Sequence, residues 1–122
     1  MSPALSIDVD KPPEGNFKPG GWVRGRVNVV EGGKSRALHV ELRFRERTSD
    51  YSATPAVYDQ TQLNQGDLSA GASFPFAIQL PPDCFPSLQT EHAMLFYELH
   101  AHSDELGLDT NADARIEVKT SG

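Results

Sequence analysis

The 122-residue chain reads as an all-β protein, an antiparallel immunoglobulin-like β-sandwich of about seven strands, on three observations. Nine prolines and ten glycines are spread along the whole length. They interrupt every stretch that could continue as a long helix, because proline lacks the amide donor and glycine loses the most backbone entropy on ordering. Apolar residues recur at period two, the spacing that lines one face of a strand. The length suits one domain with one core, at the usual ~100–200 residues per domain. A single domain over residues 1–122 is therefore expected, and not a two-domain enzyme.

The strands follow in order. Leu5, Ile7 and Val9 alternate with Ser6, Asp8 and Asp10. Over residues 22–30, Val23, Val27 and Val29 share a face with Gly25, while Arg24, Arg26 and Asn28 take the other. Gly25 inside a strand signals a bulge or a neighbour packed on bare backbone, and Pro19-Gly20 supplies the turn before it. Leu38, Val40, Leu42 and Phe44 alternate with His39, Glu41, Arg43 and Arg45, so this strand is half buried with its charges in water. Residues 56–63 are nearly as polar as apolar and predict an edge strand carrying Tyr58 and Gln60. Phe74, Phe76, Ile78 and Leu80 form the next face, ended by Pro81-Pro82. Residues 81–90 read as an irregular crossing loop. Leu95, Tyr97, Leu99 and Ala101 share one parity of a strand over 93–103, and Ala112, Ala114, Ile116 and Val118 point inward from a last strand over 112–119. The only tryptophan, Trp22, and the only cysteine, Cys84, do not supply the paired cysteines of antibody-like domains.

Composition narrows function. Hydrophobic residues at 38% and charged ones at 23% fit a soluble globular domain. No apolar run approaches the ~20 residues needed to span a bilayer, so membrane insertion is not expected. The first residues carry no basic region followed by an apolar stretch, and one cysteine cannot form an internal disulfide. A cytoplasmic location is the expectation. The net charge of −6 argues against nucleic acid as a partner, but it averages two unlike halves. Residues 1–61 hold nine Lys/Arg against eight Asp/Glu, and residues 62–122 hold two against nine.

Arg43, Arg45 and Arg47 share one outward face. If Arg24 and Arg26 lie on the same sheet, the five make a guanidinium patch suited to carboxylates or phosphates. The alternative is a solvated face balanced by cross-strand acids.

Four motifs in order resemble the N-terminal domain of arrestins and their bacterial and archaeal relatives, including sporulation-control proteins. They are Pro19-Gly20-Gly21-Trp22-Val23-Arg24-Gly25-Arg26-Val27, the Leu38-x-Val40-x-Leu42 strand, Gly71-x-x-Phe74-Pro75-Phe76-x-Ile78-x-Leu80-Pro81, and Tyr97-x-Leu99-x-Ala101. Together they cover residues 4–119. The resemblance implies an arrestin-like sandwich that binds proteins and carries no catalytic centre or cofactor. Receptor-binding arrestins carry adjacent lysines on the first strand, where this chain has Asp8 and Asp10, so phosphate recognition is not transferred to it. They also have two such domains in tandem, whereas no internal repeat occurs here.

Enzyme signatures are missing: there is no Gly-x-Ser-x-Gly, Gly-x-Gly-x-x-Gly or phosphate loop. Asp109-Thr110-Asn111-Ala112-Asp113 has the first three ligand positions of a calcium loop, but Ala114 and Thr120 stand where glycine and glutamate are required. Cys84 has no adjacent cation to activate it. A metal site using His100, His102 and Asp104, with His92 as a further ligand, stays open as an alternative, because His-x-His on a strand puts two imidazoles on one face. The leading expectation is a non-enzymatic interaction module or adaptor. It would bind an unidentified partner protein through edge strands, end loops or the basic face, with Arg24, Arg26, Arg43, Arg45, Arg47, Tyr58 and Gln60 as candidate contacts. A structural subunit that self-associates is the remaining alternative.

Overall fold

A computed structural model describes residues 3–12, 15–105 and 109–119. Eight strands run in the order β1 (Ala4–Val9), β2 (Trp22–Glu31), β3 (Ala37–Thr48), β4 (Ser52–Gln65), β5 (Ser73–Gln79), β6 (Leu88–Gln89), β7 (Ala93–Asp104) and β8 (Thr110–Ile116). All pair antiparallel. The seven anticipated strands are all present. The eighth, β6, is a two-residue strand inside the stretch read as a crossing loop, where Leu88 and Gln89 pair with Leu95 and Met94.

Two sheets form the sandwich. One has the order β1-β2-β5, and the other β4-β3-β7-β6 with β8 also paired to β7. The period-two residues of both sheets meet between them. Val23, Val27, Leu38, Val40, Leu42, Ile78, Leu80, Tyr97, Leu99 and Ala101 are completely excluded from solvent. Val118, anticipated at the end of the last strand, lies beyond β8 but is still buried and bridges to Phe17. Lys18 to Gly21 close the predicted turn: the Gly21 amide donates to the Lys18 carbonyl at 2.9 Å, and Gly20 takes the positive φ of 79° that the second central position needs.

Tyr97 pins the crossing loop. Its ring is fully buried, packs 5.0 Å from Phe44, and its hydroxyl donates to the Phe85 carbonyl at 2.6 Å. Burial first, then the neighbouring Cys84 and Tyr58, push its phenol well above the ordinary tyrosine value near 10. An acid held neutral in the fold but free to ionise when unfolded stabilises fully below the unfolded value, and that contribution is lost as pH climbs from there towards the folded value. The melting temperature should thus fall steeply above about pH 10, and Tyr97→Phe should flatten part of that fall. At neutral pH the same variant should cost about 1–2 kcal/mol, since the Phe85 carbonyl loses a buried donor. Thermal melts of both proteins from pH 7 to 11 check both results.

Candidate functional site

The outward residues of the five-stranded sheet are ordered by pairing register. One rung reads Gln62, His39, His102, Asn111; the next Gln60, Glu41, His100, Asp113; the third Val57, Arg43, Glu98, Arg115. Arg45 then pairs with Phe96. Each rung crosses β4, β3, β7 and β8, so residues far apart in sequence lie side by side.

The five arginines do not form one patch. Arg24 and Arg26 belong to β2, in the three-stranded sheet, whereas Arg43, Arg45 and Arg47 belong to β3 in the other. In a two-layer sandwich the outward faces of the sheets point apart, so the sequence expectation of a joint guanidinium surface fails on sheet assignment. Arg24 lies 5.3 Å over the exposed Trp22 ring. On β3, Arg43 pairs with its neighbour Glu41 and Arg45 donates to Thr54 Oγ1 at 3.1 Å. Arg47 is exposed near the strand's end. With Glu41, Glu98 and Asp113 among them, the β3 cations sit on a mixed face.

β4 is the edge the polar pattern predicts: among the described residues it pairs only with β3, and it forms one end of its sheet. It is longer than anticipated, beginning at Ser52, and a register shift between Leu42 and Arg43 leaves Tyr58 as the extra residue of a bulge. In an unbroken strand Tyr58 and Gln60 would share a face. The bulge separates them. Tyr58 stacks 6.0 Å from the buried Tyr97, while Gln60 lines a concavity on the outer face with His39, Glu41, Arg43, His100 and His102. Val57 and Tyr51 are exposed along the same strand and its entry turn. The Tyr51 hydroxyl donates to Glu46 at 2.9 Å, a hydrogen bond that raises its pKa.

The His-x-His pair does share a face, its rings stacked with centroids 6.1 Å apart. The third candidate changes. Asp113 of β8, and not Asp104, meets His100, with Oδ1 2.5 Å from Nδ1. His102 is held by Asn111 at 2.9 Å and by Asp109 at 3.2 Å, so two residues of the calcium-like stretch act as its partners. His92 stands apart in solvent beside Glu91. Residues 106 and 107 of the acidic turn lie outside the described residues. Cys84 is a free, buried thiol packed in the core. Neither Glu98 nor Asp113 stands among the sequence candidates for the metal. Glu98 shares the parity of His100 and His102, and the inward parity of Ala112, Ala114 and Ile116 puts Asp113 outward, but it is the β7–β8 pairing that brings them together. Phe96 is likewise unanticipated: it is buried on the outward face, beneath the Arg115 guanidinium 4.0 Å from its ring.

These features define an antiparallel β-sandwich of arrestin type with a long edge strand and a mixed polar outer face. The family described as arrestin (or S-antigen), N-terminal domain, matches residues 39–119, and the chain belongs to that family. Among solved structures, the sporulation control protein Spo0M from Bacillus subtilis is similar to it, with a TM-score of 0.75 over 99% of this chain and 51% of that one. Identity is 19%, so the likeness is one of fold, and this chain spans about half the length of Spo0M. No curated protein sequence matches. Among the described residues, no helix is long and apolar enough to cross a membrane.

Proposed function

We propose that the chain is a non-enzymatic interaction module of the cytoplasm that binds a partner protein by strand addition at β4. The observation that carries this reading is β4 itself: 14 residues long, paired on one side only, with Val57 and Tyr58 exposed. An incoming extended segment gains main-chain hydrogen bonds from such an edge, and side chains on alternate positions supply specificity. Charged residues ordinarily protect a sheet edge, yet the β4 sequence Ser-Ala-Thr-Pro-Ala-Val-Tyr-Asp-Gln-Thr-Gln-Leu-Asn-Gln contains only one. Its register shifts against β3 break the flat ladder that would favour uncontrolled pairing.

Affinity capture from the native host, read by mass spectrometry, tests the edge. A protein retained by the wild type should be lost at least tenfold with Val57→Lys and Gln60→Lys, at unchanged melting temperature, and kept by Arg24→Glu on the other sheet. If Arg43→Glu with Arg45→Glu removes the partner while the β4 variants keep it, the basic face is the docking surface and the edge reading fails. Light scattering of the purified chain distinguishes a second copy as the partner.

A further inference from the structure

We propose that Glu98, His100 and Asp113 form a binding site for a first-row divalent transition metal, with zinc(II) as the fitting ion, that clips β8 to β7. The donor set comes from two strands. Glu98 and His100 are two apart on β7 and share its outward face, and Asp113 is the direct cross-strand partner of His100. One ligand atom from each residue lies within 4.8 Å of the others. Zinc bonds of ~2.0–2.2 Å to nitrogen and oxygen hold ligand atoms closer than that, so the three side chains draw together to close on the ion. Asp113, half exposed, has the freedom to rotate. Its Oδ1 is 2.5 Å from His100 Nδ1, too near for an ion between those two atoms. Either that contact opens by less than about 1 Å, or His100 binds through Nε2.

Charge supports the assignment. Arg43 and Arg115 flank Glu98 on its rung and would neutralise it if they reached it. Both are committed elsewhere: Arg43 pairs with Glu41, and Arg115 lies over Phe96 with Nη1 3.1 Å from the Met94 sulfur. Among the described residues no hydrogen bond or ion pair engages the Glu98 carboxylate. Two carboxylates and one imidazole are therefore left to face a divalent ion. One imidazole nitrogen among the donors favours zinc and its neighbours over calcium or magnesium, which prefer oxygen alone.

The surroundings complete the site. His102 stacks on His100 and spends both ring nitrogens on Asn111 and Asp109, so it steadies the ligand ring without being a ligand. The adjoining concavity of about 210 Å³ leaves room for a water at an open coordination position. This inference is independent of strand addition at β4.

The test titrates metal-free protein with zinc chloride by calorimetry and with cobalt(II) chloride by absorbance. One equivalent should bind, zinc at a hundredfold excess over its Kd should raise the melting temperature by about 5–10 °C, and cobalt should show the visible bands of a low-coordinate nitrogen/oxygen site. His100→Gln and Asp113→Asn should each weaken binding at least tenfold, while His92→Gln leaves it unchanged. Should either variant fail to fold, the imidazole NMR signals of the wild type decide: zinc should shift those of His100 and not those of His92. No binding, binding unaltered in folded His100→Gln, or zinc shifts centred on His92 overturns the proposal.

Discussion

Gly25→Val should destabilise the domain by at least 3 kcal/mol, beyond the ~1–3 kcal/mol usual for overpacking, and lower its melting temperature by more than about 10 °C. A Cβ at position 25 would lie 2.1 Å from the Asp8 carbonyl oxygen, 3.1 Å from Val9 Cα and 3.0 Å from Phe76 Cζ. Phe76 Cζ lies on the axis about which its ring flips, so ring rotation does not clear it, and the first two atoms are backbone of β1, which pairs with β2 through Val9 and Gly25. Relief requires β1 to leave its neighbour, uncovering Leu5, Ile7 and Val9, which pack against the core. Gly25→Ala should cost nearly as much, because the first added carbon already collides. Calorimetry of the two variants checks this. A melting temperature within 3 °C of wild type would mean that β1 does not lie on β2 as described.

Leu42→Ala should cost about 2–5 kcal/mol, a large share of the ~5–15 kcal/mol that holds a domain together. Leu42 is completely buried at the middle of β3, directly across from Leu99 of β7 and in the core between the sheets. Removing its three terminal carbons leaves a void lined by rigid strands on both layers, which have little freedom to collapse into it. Leu99→Ala alone should cost a similar amount. The double variant should lose less than the two combined, because neighbours that share one cavity do not add. Urea titration of the three proteins measures the difference. Strict additivity would show that the two leucines do not share a packing site.

Much of this architecture is legible in the sequence because burial in a strand repeats every second residue. Leu38 to Phe44 and Phe74 to Leu80 declare their inward faces without ambiguity, and Gly25 marks the place where two backbones approach. Sheet membership is not encoded at that level. Arg26 and Arg43 look equivalent as outward arginines on neighbouring strands, yet β2 and β3 belong to opposite layers, which separates them. Register is equally hidden. Asp104 shares a parity with His100 and His102, but pairing across the β7–β8 connection delivers Asp113 instead. The bulge at Tyr58 arises from a mismatch with β3, a relation between strands that no single strand's pattern contains. β6 is two residues long, below the length at which alternation can be read.

Binding through β4 is tested most directly by hydrogen–deuterium exchange of the chain with and without its captured partner. Strand addition predicts that amides within residues 52–65 slow at least tenfold in the complex, with residues 4–9 and 110–116 unchanged. Protection confined to β1, β8 or the arginine face of β3, with residues 52–65 exchanging as in the free chain, would contradict it.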